Sequence, residues 1–371
     1  MMRILRVAQK CYPDIPGGGP YHVHAMSRDQ AAMGHDVTVL TVAADPDRPH
    51  VEERDGYTVV RYPSTLSPIG NDISVGLARH LATVDDSAYD VCHAHSHLYF
   101  STNLAALTRR LGDLPLAITN HGLYSQNAPK WVFDAYLRTL GRWTFNRADA
   151  VFCYTDTDRD RVRDLGVRSR IEVVPNGIDT DRFTPDGPES DLIDHDGPVM
   201  LFVGRLVEGK RPADAVRALA QVREMHPEAA LYLCGEGSLR DELRSLANEL
   251  NVADAVTFLG HVPYDEMSAV YRCADAFVLP SRAEGVPRTV MEAMATGVPV
   301  VCSDLPQVRG LVSSGGYTVD VGNHEAFAER LGRCLDGDYP TDGRQRIVDE
   351  HAWKDTVERT TAVLGGICGC R

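Results

Sequence analysis

Short apolar runs alternate with stretches of helical periodicity along the whole chain. Apolar side chains recur at helical spacing between the runs, as at Val23, Met26 and Met33. Alternation of this kind predicts parallel β-sheets that are covered by helices on both faces. The runs that predict strands span residues 4–8, 36–42, 57–62, 90–95, 116–120, 150–154 and 171–175, and then 199–204, 230–235, 255–259, 276–280 and 298–303.

The alternation stops once, between residues 176 and 198. This segment is rich in glycine, proline and aspartate, a composition typical of a linker. It divides the 371 residues into two α/β halves of similar size. We predict an N-terminal domain over 1–185, a C-terminal domain over 196–350, and a terminal helix and tail over 351–371. Ligands of such sheets bind beyond the carboxyl ends of the strands, so two facing halves are expected to share one site in the cleft between them.

Composition and charge argue against a nucleic-acid-binding, membrane-spanning or secreted protein. The formal net charge of −14 disfavours nucleic acid and anionic lipid as general partners, although it leaves room for a local basic pocket. No apolar run reaches the roughly 18 residues of a spanning helix, and the N-terminus is too charged for a secretion signal. The nine cysteines lie mostly in apolar runs and form no Cys-x-x-Cys pair, as expected for thiols in a reducing compartment. We expect a cytoplasmic protein, with peripheral contact at the inner face of the membrane as the alternative.

Three glycines follow the first predicted strand and precede a predicted helix. Gly17, Gly18 and Gly19 would allow the backbone to approach a phosphate closely, with a helix N-terminus behind it. Their spacing differs from the Gly-x-Gly-x-x-Gly pattern of dinucleotide-binding folds. A tight turn that binds no ligand is the alternative.

A second phosphate-binding candidate closes the first strand of the C-terminal half. Arg205 lies at the carboxyl end of that strand. Lys210, one of only four lysines in the chain, precedes a helix that Pro212 can begin. Two cations at a strand end and a helix N-terminus favour an anion site. The alternative is a loop with solvated charges.

Residues 280–295 form the most informative stretch, because they carry two glutamates at a strand-to-helix turn. A strand is expected to end at the beginning of this stretch, and Pro287 is expected to occupy the first helical position. Glu284 then lies in the loop, and Glu292 lies about a turn and a half inside the helix.

The chemistry of this turn fits a nucleotide sugar. The amides of Thr289 and Val290 fall in the first helical turn, lack intrahelical partners and can hold a diphosphate. Two carboxylates beside a diphosphate make sense if they accept hydrogen bonds from vicinal diols, which the ribose and the sugar both supply. A capping glutamate and a solvated glutamate are the alternative.

Histidines follow two of the predicted strands. His121 comes directly after the strand over 116–120, where ligands bind, although a packed turn residue is the alternative. His93, His95 and His97 alternate at strand period, which places three imidazoles on one face if the chain is extended there. A zinc site needs further ligands, and no cysteine or carboxylate completes the set nearby. Packing or hydrogen bonding on the acceptor side is the favoured interpretation.

Residues 131–145 are apolar with scattered arginines. Such a stretch can contact a membrane or a lipid acceptor. A helix packed in the core explains the pattern as well, and we favour the core.

These motifs, in this order, resemble the retaining glycosyltransferases of family 4, which have the GT-B fold. The resemblance extends over nearly the whole chain. Glu284 and Glu292, with seven residues between them, begin its longest segment. The other segments are the glycine-rich loop and residues 34–39, 90–95, 120–122, 174–179, 204–206 with Lys210, 235–237 and 259–262.

The resemblance implies a fold and a set of site residues. The fold consists of two Rossmann-like parallel-sheet domains that face each other across a donor-binding cleft, with the last helix crossing back onto the N-terminal domain. The catalytic residues implied are His121, which contacts the transferred sugar, and Glu284, which holds its hydroxyls. The donor-binding residues implied are Arg205 and Lys210 for the diphosphate, Gly17, Gly18 and Gly19 closing over the phosphates, Thr289 and Val290 at the helix N-terminus, Glu292 for the ribose, and Val262 and Tyr264 beside the base.

We therefore expect a retaining hexosyltransferase that uses a nucleoside-diphosphate sugar, such as a UDP or GDP sugar. The acceptor hydroxyl would belong to a lipid-linked or cell-surface glycan or to another small glycoconjugate precursor. No carboxylate is an obvious nucleophile, which favours front-side substitution in which the departing phosphate deprotonates the acceptor. Alternatives are a nucleotide-sugar epimerase of the same fold and a non-catalytic sugar-nucleotide binding protein.

No metal and no other cofactor is expected. Arg205 and Lys210 can stabilise the charge that develops on the departing diphosphate. Asp156 to Asp158 has the Asp-x-Asp spacing of a metal-binding element and follows the strand over 150–154, but it is expected to open a helix, with Thr155 or Asp156 as its N-cap.

Overall fold

The structure is a computed structural model that describes residues 1–43, 45, 47–123 and 129–369. The chain divides into two compact units. The first unit contains Met1–Pro175 together with Asp355–Arg371, and the second contains Asn176–Lys354. Each unit has its own β-sheet.

The sheet of the first unit has eight strands among the described residues. They are β1 (Arg3–Val7), β2 (Asp36–Ala43), β3 (Val51–Arg54), β4 (Tyr57–Pro63), β5 (Val91–His95), β6 (Leu116–Thr119), β7 (Ala150–Cys153) and β8 (Arg170–Val173). Their order across the sheet is β3-β4-β2-β1-β5-β6-β7-β8. All neighbours are parallel except β3, which pairs antiparallel with β4.

Helices connect these strands. They are α1 (Gly18–Ala32), α2 (Val75–Ala82), α3 (Phe100–Leu111), α4 (Lys130–Tyr136), α5 (Arg142–Phe145) and α6 (Asp156–Asp164), with a π-helical turn at Leu137–Gly141. The Thr155 side chain accepts a hydrogen bond from the Asp158 amide at 3.0 Å and caps α6. The predicted N-cap of this helix is thereby confirmed.

The second unit has six parallel strands among the residues described. They are β9 (Val199–Val203), β10 (Ala230–Cys234), β11 (Val256–Gly260), β12 (Ala276–Leu279), β13 (Val300–Ser303) and β14 (Gly316–Val319), in the order β11-β10-β9-β12-β13-β14. The helices are α7 (Pro212–Val222), α8 (Arg240–Glu249), α9 (Met267–Arg272), α10 (Arg288–Ala295), α11 (Pro306–Val312), α12 (His324–Leu335) and α13 (Gly343–Glu350), and α14 (Trp353–Ile367) follows at the end of the chain.

The central strands are covered on both faces. Along β1 and just beyond it, Leu5 and Val7 belong to one buried apolar cluster, whereas Ile4 and Ala8 belong to a second. Side chains that alternate along a strand point to opposite faces, so the two clusters lie on the two sides of the sheet. This arrangement confirms the parallel α/β architecture that the apolar runs predict.

The last helix packs on the first unit. Leu364 is fully buried in the same cluster as Ile4. The Gln30 side-chain amide donates to the Thr361 hydroxyl at 2.8 Å, and the Thr356 hydroxyl donates to the Pro175 carbonyl at 2.9 Å. These contacts tie the end of the chain to α1 and to the end of the N-terminal segment.

All twelve predicted strands are present, with ends within two residues of the predicted ones. Two strands, β3 and β14, were not predicted. Three of the four residues of β3 are charged, and β14 begins at a glycine, so neither presents an apolar run. The expectation of purely parallel sheets is wrong for β3, an antiparallel edge strand.

The segment over residues 176–198 contains no helix and no strand of the two sheets, as its composition predicts. It is nevertheless well packed, because Ile178 and Phe183 are fully buried. Ile178 forms an isolated parallel bridge with Ala352. The segment therefore belongs to the body of the second unit.

The apolar stretch over residues 131–145 contributes to the core. Phe133, Leu137 and Phe145 are buried within the first unit, which confirms the core interpretation. Trp131, at the beginning of α4, is 75% exposed. Within the described part of the chain, no helix combines the length and the apolar character needed to span a bilayer.

Candidate functional site

The loop after β9 holds the two predicted phosphate-binding cations. Arg205 is two residues beyond the strand, and its side chain is exposed. The next residue, Leu206, is fully buried, and its amide donates to the Glu236 carbonyl at 2.8 Å, which fixes the loop. Lys210 ends a short 3-10 turn, and Pro212 is the first residue of α7, as the sequence predicts.

Lys210 is paired with Glu284. Its Nζ lies 2.5 Å from Glu284 Oε1, and the two side chains are 16% and 7% exposed. The two loops are also joined through the backbone, because the Arg282 amide donates to the Gly209 carbonyl at 2.9 Å. The Gln307 side-chain amide donates to the Glu284 carbonyl. The structure therefore brings together the residue predicted to bind the diphosphate and the residue predicted to hold the sugar.

The N-terminus of α10 differs in detail from the prediction. Pro287 precedes the helix as its N-cap, with ψ at 116°, and Arg288 is the first helical residue. Pro287 provides no side-chain cap, and its backbone carbonyl accepts a hydrogen bond from the Val290 amide at 3.2 Å. We expected the Val290 amide to lack a partner within the chain, and this expectation is wrong. The Thr289 amide has no acceptor among the described residues. That both amides bind phosphate stays a prediction.

Glu292 lies on the second turn of α10 and is buried. Tyr264 donates to its Oε1 at 3.2 Å, and Tyr271 donates to its Oε2 at 3.0 Å. Burial raises the pKa of Glu292, and this rise is opposed by the charge of Arg288 and by the two tyrosine hydrogen bonds. Because a carboxylate oxygen accepts more than one hydrogen bond, both oxygens keep acceptor capacity.

Tyr264, predicted to border the base, is half-buried between polar and apolar neighbours. Its ring centroid lies 5.6 Å from that of Phe183 in an edge-to-face arrangement, and the Arg182 guanidinium lies 5.3 Å from it. Val262, the second residue predicted for the base region, is buried and follows β11 by two residues. The predicted ribose and base residues therefore meet, through Tyr264 and Glu292.

In the first unit, the glycine-rich loop leads directly into α1. Gly17 is the N-cap with φ at 137°, a conformation that favours glycine, and its carbonyl accepts from the Tyr21 amide at 2.9 Å. Gly18 and Gly19 form the first turn. A side chain built on Gly19 would meet nothing within 4 Å among the described residues, so packing within the chain does not require glycine there.

The loop before these glycines is anchored by a cluster of ion pairs. Asp14 is 3% exposed and binds Arg61 Nε through Oδ2 at 2.5 Å and Arg54 Nη2 through Oδ1 at 3.2 Å. Glu52 pairs with both arginines. Burial alone would raise the pKa of Asp14, but the hydrogen bond and charge of Arg61, with Arg54, lower it. The hairpin β3–β4 thus holds the loop that enters α1.

His121 follows β6 as predicted and is held on both sides of its ring. Its Nδ1 lies 3.0 Å from the Tyr154 hydroxyl, and its Nε2 lies 3.1 Å from His95 Nδ1. Burial lowers the pKa of His121 to about 4, so the ring is neutral at physiological pH. A sugar hydroxyl can hydrogen-bond to the imidazole only by replacing or sharing one of these partners.

The three alternating histidines do not share a face. Ser96 has φ at 65°, which turns the chain after β5. The rings of His93 and His95 lie 4.4 Å apart, whereas His97 packs against Phe145 at 4.7 Å. The expectation of three imidazoles on one face is therefore wrong. Among the described residues, no group of three histidine, cysteine or acidic side chains could hold a metal ion.

Several residues of these sites were not identified from the sequence. Arg6 lies within an apolar strand, is fully buried, and donates to Ser27 at 2.7 Å and to Gln30 at 2.5 Å. Its charge adds to burial in lowering the pKa of His93. Arg288 was left without a role, although its position four residues before Glu292 on a helix predicts a contact.

Both halves of the chain match known protein families. Residues 16–182 match the family described as Glycosyltransferase Family 4, and residues 185–351 match Glycosyl transferases group 1. A glycogen synthase of Mycobacterium tuberculosis is 30% identical over 98% of this chain and 94% of that protein. A D-inositol 3-phosphate glycosyltransferase of Acidothermus cellulolyticus is 32% identical over 90% of this chain and 83% of that protein. A GDP-mannose-dependent alpha-(1-6)-phosphatidylinositol monomannoside mannosyltransferase of M. tuberculosis is 32% identical over 85% of this chain and 78% of that protein.

Solved structures share the fold at lower identity. The sucrose-phosphate synthase of Thermosynechococcus elongatus superposes with a TM-score of 0.82 and 22% identity, over 100% of both chains. The Anabaena protein HepE, solved in complex with UDP-glucose, superposes with a TM-score of 0.81 and 19% identity, over 99% of this chain and 100% of that chain.

Proposed function

The chain belongs to the glycosyl transferases of group 1 and family 4 and has their GT-B fold, and from this premise we propose a specific reaction. The protein transfers a hexose-type sugar from a nucleoside-diphosphate sugar to an acceptor hydroxyl, with retention of the anomeric configuration and without a metal ion. The acceptor belongs to a lipid-linked or cell-surface glycan or to a related glycoconjugate precursor.

The observation that carries the proposal is the direct contact of Lys210 with Glu284 beyond the carboxyl ends of β9 and β12. Lys210 is a cation suited to a diphosphate, and Glu284 is a carboxylate suited to sugar hydroxyls. A nucleotide sugar contains both groups in one ligand. Arg205 lies on the same loop as Lys210, and the first turn of α10 follows Glu284 closely.

The relatives support a nucleotide sugar as the donor. One is named for its dependence on GDP-mannose, and HepE was solved with UDP-glucose. Both ligands combine a ribose, a diphosphate and a hexose, the three parts for which Glu292, Arg205 with Lys210, and Glu284 are proposed.

The proposed chemistry is a front-side substitution. The bond between the anomeric carbon and the phosphate oxygen breaks, and the bond to the acceptor oxygen forms on the same face of the sugar. The acceptor proton passes to the departing phosphate. The negative charge that develops on the departing diphosphate is stabilised by Arg205 and Lys210. His121, neutral and fixed by Tyr154 and His95, is suited to contact the sugar without adding a charge.

Three alternative activities bear on the same residues. An epimerase of this fold would convert the nucleotide sugar without an acceptor. A binding protein would retain the phosphate site and show no turnover. Lys210 is engaged by Glu284, which favours a role in ligand binding over a Schiff base, as a phosphorylase of similar fold would need.

The cytoplasmic face of the membrane is the proposed place of action. Exposed Trp131, Arg138 and Arg142 put an aromatic ring and two positive charges on the surface of an acidic chain, which supports peripheral contact with anionic lipid. Co-sedimentation with phosphatidylglycerol vesicles should be weakened by Trp131→Ala with Arg138→Ala. Equal sedimentation of this variant and the wild type would refute contact at this surface.

The reaction is tested with a panel of UDP and GDP hexoses, each incubated with and without lipid-linked and soluble glycan acceptors. Transfer is expected from one donor, with release of its nucleoside diphosphate only when acceptor is present. Interconversion of nucleotide sugars without acceptor would identify an epimerase. Binding without any turnover across the panel would identify a binding protein.

A further inference from the structure

Arg288 occupies a buried position between three parts of the second unit. It is the first residue of α10 and is 8% exposed. Its Nη1 donates to the Gly177 carbonyl at 2.8 Å, and its Nη2 donates to the Tyr264 hydroxyl at 3.1 Å. Its guanidinium lies 5.6 Å from the ring centroid of Trp353. These contacts fix the guanidinium plane.

The Tyr264 hydroxyl joins Arg288 to Glu292 in a defined direction. A guanidinium only donates hydrogen bonds, so the tyrosine oxygen accepts from Arg288. The single hydroxyl proton of Tyr264 is then directed to Glu292 Oε1, 3.2 Å away. Arg288 Nε also lies 3.8 Å from the same carboxylate oxygen. The three side chains form a closed triangle.

Other groups face Glu292 from each element packed against it. Tyr271 of α9 donates to Oε2 at 3.0 Å. The Cys234 thiol at the end of β10 and the Arg182 guanidinium from the segment before β9 act at longer range. Arg182 is itself paired with Asp265 at 2.8 Å. Arg288 is therefore the cation that acts most directly on the Glu292 carboxylate.

We infer that Arg288 is a positioning residue of the donor site, which holds the Tyr264 hydroxyl on Glu292 and keeps Glu292 ionised for the donor's ribose diol. The inference rests on the proposed function, which assigns the ribose to Glu292. A carboxylate accepts both diol hydrogens, whereas a protonated acid has lost part of this capacity and adds a donor. Burial favours the protonated form of Glu292, and the positive charge of Arg288 opposes this effect by favouring the ionised form.

The test is the pH dependence of nucleoside-diphosphate binding in Arg288→Gln. UDP, GDP and ADP are titrated calorimetrically into the wild type, and the tightest ligand is then used for every variant between pH 6 and pH 8.5. We expect the affinity of Arg288→Gln to lie within about 3-fold of the wild type at pH 8.5 and to fall at least about 10-fold below it at pH 6.

Proton release provides a second readout that a purely structural role would not change. If Glu292 is protonated in free Arg288→Gln at pH 7, binding must expel that proton into the buffer. The binding enthalpy should then depend on the ionisation enthalpy of the buffer more strongly in the variant than in the wild type. In a Glu292→Gln background, Arg288→Gln should produce no additional proton release.

Two further variants separate charge from geometry. Arg288→Lys keeps the charge and should retain the wild-type pH profile, even where its affinity is lower at every pH. Arg344→Gln is the matched control, because Arg344 also clamps backbone carbonyls, those of Phe183 and Ala295. It should leave the pH profile unchanged. If Arg288→Gln does not fold, Tyr264→Phe, which removes only the hydroxyl, should shift the acid limb in the same direction.

The inference is overturned if folded Arg288→Gln, or Tyr264→Phe in its place, shows the wild-type pH profile and proton release. It is also overturned if Arg288→Lys shifts the profile as far as Arg288→Gln does. Failure of the proposed function is a different result, because the wild type itself would then neither bind any of the nucleoside diphosphates nor transfer sugar.

Discussion

The ammonium of Lys210 lies 2.5 Å from the carboxylate of Glu284, 74 residues further along the chain. Each neutralises the other, and neither is more than 16% exposed. An ammonium carries three donor hydrogens, so on the proposed assignment Lys210 can contact the diphosphate while it stays paired with Glu284. The negative charge of Glu284 weakens the attraction of Lys210 for phosphate, and the carboxylate keeps acceptor capacity for sugar hydroxyls.

The pair predicts opposite effects of two substitutions on free nucleoside diphosphate. Lys210→Ala should weaken its binding by about 1.5–3 kcal/mol, because a charge-assisted contact is lost. Glu284→Gln should leave this binding unchanged or tighter, since a negative charge beside Lys210 is removed, and should weaken only the sugar-bearing donor. Calorimetric titration of both ligands measures the difference. Equal weakening of both ligands by Glu284→Gln would contradict the assignment.

Glu292→Gln should behave differently from Glu284→Gln. The ribose is common to the donor and to the free nucleoside diphosphate. Loss of the carboxylate should therefore weaken the binding of both ligands by a similar free energy, about 1.5–3 kcal/mol. The same titrations measure it, with thermal unfolding as the check that the buried substitution leaves the unit folded. An effect confined to the sugar-bearing donor would place Glu292 at the sugar instead.

Transfer should continue in EDTA. Glu284 offsets part of the charge of Lys210, so the groups proposed to balance the roughly two negative charges of a donor diphosphate without a dication are Arg205, Lys210 and the N-terminus of α10 together. The measurement is the initial transfer rate in EDTA and after addition of magnesium or manganese. Complete loss of transfer in EDTA, restored by either metal, would show that these groups do not suffice to stabilise the leaving group.

The buried His97 and the half-buried His121 predict acid-sensitive stability. Burial lowers the pKa of His97 to about 3 and that of His121 to about 4. An unfolded histidine binds a proton below a pH of about 6.5, so the unfolded state binds more protons and stability falls as the pH drops. Each of these two histidines should lower the free energy of unfolding by about 1.2 kcal/mol as the pH falls from 7 to 5.5.

Urea unfolding at several pH values measures this loss. His97→Gln should reduce the loss between pH 7 and pH 5.5 by about the contribution of one histidine, whatever its effect at pH 7. His261→Gln removes an exposed histidine by the same substitution and serves as the control. If His97→Gln and the wild type lose the same stability over this range, His97 takes up a proton in the folded state as well.

The fold follows closely from local sequence patterns. Several predicted strands are apolar runs that are buried at every residue, namely β6, β7, β10, β12 and β13, whereas β8 is only partly buried. The edge strand β3 escaped prediction because three of its four residues are charged and it pairs only with β4, so it presents no apolar run. Helix α10 was placed within one residue, because Pro287 marks its N-terminus whether it lies inside or just outside the helix.

The site could be predicted residue by residue but not as a set of contacts. Motif spacing singled out Lys210 and Glu284 separately, whereas their pairing depends on how two loops meet. The roles of Arg288 and Tyr154 depend on partners on other elements. The turn at Ser96, which separates His97 from His93, reflects a left-handed backbone conformation that strand periodicity cannot reveal.

The most direct measurement of the central claim is the anomeric configuration of the first product formed. Proton NMR follows the transfer from an α-linked nucleotide sugar to its acceptor while the reaction proceeds. Retaining transfer predicts an α-linked product from the earliest time points, with nucleoside diphosphate released in equal amount. A β-linked first product would contradict the proposed front-side substitution, and sugar released only to water would contradict the proposed transfer.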